Sequence, residues 1–253
     1  MGRRGVTVDQ NQRWIFNRLA PQYSQRPPYP EEVIGRLCAL AGRSDARVAD
    51  LGAGTGHLAI PLARRGLRVS AVEPAIAMLA ELTRAADAES LSIRVAQATA
   101  EATTLESAQF ELVLLADALH WVDPELAGRE IARLLKADGV LVVLEVGIGD
   151  PPFLRELRLL VETTNPRARG MRRSRLRQLV THVSKGLTKV EEFSEELELT
   201  EETLRSMVSS LSYIGPAVGP GPLEKLLAAA EQLAQVHGGA HWKRDFILTW
   251  LKR

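Results

Sequence analysis

The spacing of apolar positions divides the chain into alternating strands and helices. Short runs rich in Val, Leu, Ile and Ala predict strands at 46–51, 67–73, 91–95, 110–116 and 140–147. Between them, apolar residues recur every three or four positions and predict helices at about 57–65, from Pro74 through Thr83, and over 124–135. Because strands and helices alternate, the pattern predicts a parallel sheet with helices on both faces.

The two ends of the chain add further elements to this alternating centre. A short helix over 12–19 is predicted first, followed by an extended arm, because four prolines interrupt the helical pattern between positions 21 and 30. A second helix, over 31–41, ends at Gly42. After residue 150 we expect one or two helices over 151–186, a strand at about 187–199, and a helix over 201–211 with Thr200 as N-cap. A Gly/Pro-rich loop, a long helix and a final strand over 241–253 complete the chain.

Composition narrows the class of protein without naming a function. The 253 residues are 45% hydrophobic and 25% charged with a formal net charge of +1, as expected of a single globular domain with or without a cap. No global field attracts nucleic acid or a membrane surface. The one cysteine, Cys38, excludes an internal disulfide, and no apolar run approaches the length of a membrane span. We therefore expect a cytoplasmic protein that is a monomer or a homodimer.

The first candidate for chemistry is the glycine turn in ARVADLGAGTG at 46–56. Gly52, Gly54 and Gly56 alternate after a short strand, and Asp50 lies two positions before the first glycine. A strand, a glycine turn and a helix place backbone N–H groups beneath a ligand, and glycine allows the main chain to approach it closely. A dinucleotide fingerprint has its third glycine one residue later. NAD(P)-dependent oxidoreductases also use a fold of this kind, and the spacing of the glycines argues against this function.

A second acid, Glu73, ends the next strand about 20 residues beyond the glycine turn. A carboxylate there reaches the hydroxyl pair of a nucleotide ribose, because its two oxygens both accept hydrogen bonds. The alternative is a glutamate that caps the helix opened by Pro74. Met78, one turn into that helix, either touches a bound base or belongs to the core.

The third candidate is the end of the apolar strand 110–116, where an open α/β sheet presents reacting groups. Asp117, His120, Trp121 and Asp123 follow that strand. The ordinary pKa of histidine, near 6.5, suits removal of a proton from a hydroxyl or ammonium nucleophile, so His120 is a candidate base. The alternative is a histidine that only hydrogen-bonds a loop carbonyl.

These motifs together resemble a known family. D-x-G-x-G-x-G at 50–56 resembles motif I of the class I S-adenosylmethionine (SAM) methyltransferases. F-N-R-L-A-P-x-Y-x-x-R-P-x-Y-P at 16–30 and A-x-x-L-H-W at 116–121 resemble small-molecule methyltransferases of the type 11, trans-aconitate methyltransferase-like group. The resemblance is strongest over 13–147. It implies a doubly wound, Rossmann-like α/β sheet of seven strands, with strand 7 antiparallel and helices 12–40 and 151–186 covering its carboxyl edge.

The resemblance also implies a role for individual residues. SAM would be the cofactor and S-adenosylhomocysteine (SAH) the product. Asp50 and the glycines would hold the methionine, Glu73 the ribose, and Thr99 to Glu101 the adenine, although Thr99 stands where the family has an acid. His120 is the candidate base beside Asp117, and Trp121 would line the substrate pocket. The full set of expected cofactor-binding residues is Tyr23, Arg26, Tyr29, Asp50, Gly52, Ala53, Gly54, Gly56, Glu73, Pro74, Met78, Thr99, Ala100, Glu101 and Asp117.

The resemblance implies a single methyltransferase domain over 1–253, in which 1–42 is a helical arm or lid and 43–149 the SAM-binding core. Residues 150–186 would be a helical cap insertion, and 187–253 the C-terminal part of the sheet. The implied reaction moves a methyl group from SAM to an O or N nucleophile of a small molecule, an acceptor of secondary metabolism being one such case. The alternative is a non-catalytic SAM-binding or partner-binding module, against which the intact end of strand 4 argues. No metal is expected.

A cluster of six arginines lies between the predicted fifth and sixth strands, at Arg167, Arg169, Arg172, Arg173, Arg175 and Arg177. Charge runs usually form a solvated face, and seven glutamates at 191–202 are available to neutralise this one. The alternative is a cap that attracts an anionic substrate or the phosphate of an acyl carrier. We favour the solvated face.

Overall fold

The computed structural model describes residues 10–166, 175–184 and 186–253, with side chains from residue 15 onward. The helices are α1 Gln10–Ser24, α2 Glu31–Ala41, α3 Ala59–Arg64, α4 Ile76–Ala88, α5 Pro124–Leu134, α6 Pro152–Thr164, α7 Leu176–Val183, α8 Glu201–Ser209, α9 Gly215–Val218 and α10 Pro220–Val236. The strands are β1 Arg47–Leu51, β2 Arg68–Val72, β3 Arg94–Ala96, β4 Phe110–Ala116, β5 Leu135–Ile148, β6 Lys189–Leu199 and β7 Ala240–Lys252.

The seven strands form one sheet in the order β3-β2-β1-β4-β5-β7-β6. The first five are parallel, whereas β7 runs antiparallel to both β5 and β6. The prediction of a doubly wound α/β sheet with an antiparallel strand 7 is therefore confirmed. The chain order reverses between β1 and β4, and a crevice at such a switch point is where an open α/β sheet binds its ligand.

Apolar side chains bury both faces of the sheet. On one face, Val33 and Leu37 of α2 belong to the same buried cluster as Leu112 and Leu114 of β4. On the other face, Ile131 of α5 packs with the alternate residues of β4, and Leu179 and Val183 of α7 join them. Burial on both sides explains why the strand at 110–116 is almost continuously apolar rather than alternating.

A third buried cluster joins α6, α8 and α10 to the start of β7 through Phe153, Met207, Leu226 and Trp242. Helix α7 instead packs against α5. The two helices expected as a cap at 151–186 therefore lie in different places. In the described part of the chain, the helical cover near the carboxyl edge comes from α1 and α8.

Helix α1 differs from the sequence prediction of a short helix over 12–19, because it continues through Pro21 to Ser24. Leu19 and Ala20 are buried against Ala75 and Met78, and the Asn17 side chain accepts a hydrogen bond of 3.0 Å from the backbone N–H of Ala77. A proline inside a helix costs about 3 kcal/mol. Tertiary packing of this helix against α4 offsets that cost.

Other boundaries shift for local reasons. Helix α4 begins at Ile76 rather than Pro74. The Glu73 side chain accepts a hydrogen bond from the N–H of Ala75, and this bond holds Pro74 and Ala75 outside the helix. Strand β3 has only three residues and one neighbour, as an edge strand. Strand β5 begins at Leu135, with a shift of register against β4 before Val140. None of the described helices is long and apolar enough to cross a bilayer.

Candidate functional site

A cavity of about 250 Å³ opens at the carboxyl ends of β1, β2 and β4, at the switch point of the sheet. Its walls come from the glycine turn, the ends of four strands, the N-terminal arm and α8 with the loop that follows it. Every residue that the sequence assigned to the site lines this cavity, with the exception of Gly56. The fold thus gathers positions from 23 to 121 around one volume.

The glycine turn owes its shape to positive φ angles that disfavour other residues. Gly52 has φ +76°, and a Cβ there would lie 2.8 Å from the Cβ of Ala118 at the exit of β4. Gly54 has φ +55° and faces the ring of Tyr23. A Cβ on Gly56 would lie 2.9 Å from Leu82, so this third glycine allows α4 to pack closely and does not border the cavity.

The backbone N–H groups of the turn are bonded to the end of β2. Gly52 and Ala53 both donate to the carbonyl of Val72, at 2.8 and 3.1 Å, and Gly54 donates to the Glu73 carboxylate at 3.1 Å. Helix α3 begins only at Ala59. The expectation that the turn presents open N–H groups at a helix N-terminus is therefore wrong for these three residues.

Asp50 and Glu73 form a buried acid pair, with 2% and 7% of their surfaces exposed. Asp50 accepts a hydrogen bond from the N–H of Ala59, while its Oδ2 has no hydrogen-bond partner within the described residues. Burial, and then the charge of Glu73, raise the pKa of Asp50 to about 7. Burial also raises the pKa of Glu73, although the N–H groups of Gly54 and Ala75 oppose this. An orphaned buried acceptor is costly, and a ligand that carries hydrogen-bond donors would satisfy it.

The exit of β4 carries a strained residue. Asp117 has φ +45°, and its N–H donates to the carbonyl of Leu144 at 2.7 Å. A non-glycine residue in this region costs on the order of 1 kcal/mol or more and is common at functional sites. His120 and Trp121 follow in the one-turn 3-10 helix Leu119–Trp121, with their ring centroids 5.0 Å apart. These three residues line the cavity, as the sequence predicted.

Asp123 has a structural position instead. Its carboxylate accepts hydrogen bonds from the N–H groups of Glu125 and Leu126, at 2.9 and 3.0 Å, as the N-cap of α5. Its own N–H donates to Glu101 at 2.9 Å. Glu101 lies with Thr99 and Ala100 along the wall beyond Glu73, where the resemblance expects the adenine.

The N-terminal arm closes over the turn through Tyr23, Arg26 and Tyr29, all three of which line the cavity. The Arg26 guanidinium lies 3.9 Å from the centroid of the Tyr23 ring and donates to the hydroxyl of Ser210 on α8's C-cap at 2.8 Å. Tyr29 packs against Phe246 of β7, and burial is the main reason that its pKa is raised. The arm therefore bridges the turn and the C-terminal part of the sheet.

Sequence analysis missed two residues that hold this arm in place. His57 Nε2 donates to the carbonyl of Arg26 at 3.0 Å, and burial lowers the pKa of this histidine. Arg244 donates to the carbonyl of Pro27 at 3.0 Å and to the Glu195 carboxylate at 2.8 Å. The pattern offered a signal for Arg244, since it lies between Trp242 and Phe246 on one face of β7.

Comparisons with known proteins agree with this geometry. Residues 49–143 match the family model described as a methyltransferase domain. An uncharacterized methyltransferase of Mycobacterium bovis is 45% identical over 116 residues, which is 46% of this chain and 45% of that protein. A malonyl-[acyl-carrier protein] O-methyltransferase of Enterobacter lignolyticus is 35% identical over 143 residues, covering 56% and 55% respectively.

The chain spans about half the length of these curated relatives. The solved structure of the YcgJ protein from Bacillus subtilis superposes with a TM-score of 0.58 at 20% identity, covering 88% of this chain and 99% of that one, which establishes the shared fold. The matched domain, the relatives and the sheet order together show that residues 49–143 are similar to methyltransferase domains and that the chain has the fold of a class I methyltransferase.

Proposed function

We propose that the cavity binds SAM and that the protein transfers its methyl group to an O or N nucleophile of a small molecule. The observation that carries this proposal is the buried acid pair beside the glycine turn. Asp50 and Glu73 border one cavity, and Asp50 Oδ2 has no hydrogen-bond partner among the described residues. Such acceptors suit a ligand that carries several hydrogen-bond donors, and SAM carries an ammonium group and two ribose hydroxyls. When bound, SAM supplies an electrophilic methyl group on a sulfonium, and displacement leaves SAH.

The residues present fit each part of this cofactor. Glu73 retains lone pairs for the ribose hydroxyls beyond the bonds from Gly54 and Ala75. Asp50 faces the ammonium. Arg26 pairs with the methionine carboxylate, because no carboxylate of the described residues forms an ion pair with it, whereas Arg244 already has Glu195. Thr99, Ala100, Glu101 and Met78 border the adenine.

His120 and Trp121 act on the acceptor side. His120 removes the proton from the nucleophile as the new bond to the methyl group forms, and Trp121 walls the pocket. The aromatic contact of 5.1 Å between Trp121 and Phe16 brings α1 over this region, where it excludes water. If no base is needed, alignment and water exclusion provide the rate enhancement.

The relative from Enterobacter lignolyticus supports a second candidate, an acceptor on an acyl carrier, which the arginine cluster also suggested. Arg167, Arg169, Arg172 and Arg173 lie outside the described residues. Arg175 and Arg177, which are described, do not line the cavity. The small-molecule acceptor therefore remains our proposal, and a carrier-bound substrate is the second candidate.

Calorimetric titration tests the cofactor assignment. We expect SAH to bind the wild-type protein, and Glu73→Ala to weaken binding by on the order of 2–3 kcal/mol, as the loss of bonds to a charged group does. Because Glu73 also holds Gly54 and Ala75, circular dichroism must show that the variant is folded, and Glu73→Gln serves as a milder change. Glu89→Ala, which removes a surface partner of Arg64, is the matched control.

Two outcomes would count against this assignment. An unchanged SAH dissociation constant in folded Glu73→Ala would remove the ribose assignment. Binding of NADH in place of SAH by the wild-type protein would overturn the proposed function itself and favour an oxidoreductase.

A further inference from the structure

The cavity extends beyond the residues proposed for the cofactor, and this second part is rich in apolar side chains. Its walls come from α1, the 3-10 turn, the end of β5, α8 with its following loop, and β7. Its apolar members are Phe16, Trp121, Ile148, Met207, Leu211 and Trp242, and the polar residues on the same walls include Ser210, Ser212, Tyr213 and Arg244. Three of the six are aromatic. Walls of this kind bind an apolar ligand by removing its surface from water, with few polar groups to orient it.

The charges around this apolar part disfavour an anion. Within the described part of the chain, Arg26 and Arg244 are the only Arg or Lys side chains in the lining. Arg244 is bonded to Glu195 and to the carbonyl of Pro27, and Arg26 serves the cofactor in the proposed function. Burial lowers the pKa of His57, and the Asp117 carboxyl group also lines the cavity. An anionic acceptor would lose its hydration without gaining a counter-charge.

One polar atom in the apolar part has no hydrogen-bond partner. Trp242 is 2% exposed, and its indole Nε1 is a buried donor without an acceptor among the described residues. Trp250 on the same strand differs, because its Nε1 donates to Glu191 at 2.7 Å. A buried N–H without an acceptor is destabilising, so a residue that lines a cavity and carries one fits a ligand that brings an oxygen.

We infer that this part of the cavity takes an uncharged acceptor with a planar apolar body and one hydrogen-bond-accepting oxygen, which Trp242 positions. The inference rests on the proposed function for the location of the cofactor, and it adds the class of substrate. Trp242 is a specificity-determining residue here, since its N–H binds an oxygen of the acceptor rather than the reacting atom. A free carboxylate is excluded from the pocket.

Equilibrium dialysis with three naphthalene probes tests this inference, both with saturating SAH and without it. The probes are 2-acetonaphthone, which is neutral and has a carbonyl, 2-naphthoate, its anionic counterpart, and 2-methylnaphthalene, which has no acceptor atom. We expect the ketone to bind at least about ten-fold more tightly than the carboxylate. Trp242→Phe keeps an aromatic side chain, although a smaller one, and removes the N–H. We expect it to weaken binding of the ketone by about five-fold more than binding of 2-methylnaphthalene.

Two controls isolate the hydrogen bond. Binding of 2-methylnaphthalene to Trp242→Phe measures the loss of apolar contact with the smaller ring, and loss of the hydrogen bond should weaken the ketone beyond this. A packing defect alone would weaken all three probes equally. Trp250→Phe, which removes an indole N–H outside the cavity, should leave the ketone unaffected. Equal or tighter binding of the carboxylate, an unselective effect of Trp242→Phe, or no binding of any probe would overturn the inference. Failure of SAH to bind would instead overturn the proposed function, and the probe preference would still be measured in the cofactor-free protein.

Discussion

Asp50 and Glu73 are ordinary acids in the sequence, and the fold changes their chemistry. Asp50 lies within β1, a central strand that pairs with β2 on one side and β4 on the other, and only 2% of its surface is exposed. Desolvation disfavours the charged form of a carboxyl, and a second acid nearby has the same effect. The position of the pair follows from the motif, whereas its raised pKa follows from burial.

The raised pKa predicts how cofactor affinity depends on pH. Below about pH 7 the Asp50 carboxyl holds a proton in the free protein. A bound ammonium favours the ionised form, so we expect the SAH dissociation constant to rise as pH falls from 8 to 6, by at most about ten-fold per pH unit. Calorimetry in buffers of different ionisation enthalpy measures this dependence and the proton released. Asp50→Asn should flatten it, and an equally steep profile in that variant would contradict the assignment.

The same group affects folding with a defined sign. Its pKa in the folded protein exceeds the ordinary value of 3.8, so between 3.8 and about 7 the folded state binds more protons than the unfolded state. The contribution of Asp50 to stability therefore falls as pH rises through this interval. Bound SAM would offset this loss.

His120 is the residue for which a catalytic and a structural role predict different results. If His120 is the base, His120→Ala should lower turnover by about 10²–10⁴-fold. SAH affinity should stay nearly unchanged, because His120 acts on the acceptor alone. Formation of SAH from SAM and the identified acceptor, together with SAH binding to the same preparation, measures both quantities. The exposed His241, changed to alanine, is the control. Near-normal turnover in folded His120→Ala would leave positioning and desolvation as the mechanism.

At the scale of elements, the N-terminal arm shows how local pattern and tertiary contact compete. The prolines predicted a short helix and an extended segment, yet α1 runs to Ser24 because α4 and α8 pack against it. The segment after it contains few backbone hydrogen bonds of its own. Side chains distant in sequence hold this segment. His57 donates a hydrogen bond to the carbonyl of Arg26, and Arg244 donates one to the carbonyl of Pro27.

This construction predicts that residues 23–29 respond to the cofactor. We expect amide hydrogen exchange across this segment to slow when SAH is added, because Arg26 gains a charged partner and the arm closes more tightly. Helix α10, which does not line the cavity, is the internal control. Identical protection with and without SAH would mean that the arm is structural only.

At the scale of the molecule, β7 joins the parallel sheet to the C-terminal elements. It pairs with β5 on one side and β6 on the other, and Phe246 at its centre is fully buried in the core that α2 and β4 share. The same residue contacts Tyr29 of the arm, with ring centroids 5.7 Å apart. The core and the cover of the cavity therefore share a side chain.

We expect Phe246→Ala to lower the free energy of unfolding by about 3–5 kcal/mol, as truncation of a buried phenylalanine does. Ile247, the next residue, points to the opposite side of the strand and is 39% exposed, so Ile247→Ala should cost much less. Urea denaturation of both variants measures the difference. Similar losses in the two would contradict the burial that distinguishes the faces of β7.

The local sequence pattern was sufficient to predict much of the fold and of the candidate site. The period of apolar residues predicted the sheet strands and most helices, because a strand alternates and a helix repeats every 3.6 residues wherever one side is buried. The glycine turn, Asp50 and Glu73 were predicted at their places, since each depends on neighbours close in sequence. The class I methyltransferase resemblance drew on these motifs and was confirmed.

The tertiary structure alone decided the rest. Arg244 lies more than two hundred residues after Pro27, to which it is bonded, and Trp242 lines the same cavity as that arm. No local period records a partner at that distance. The extent of α1 beyond Pro21, the bonding of the turn's N–H groups to Val72 and the pKa of Asp50 depend likewise on elements packed against them. A sequence pattern records which side chains must be buried, whereas packing determines which of them meet and what charge they then carry.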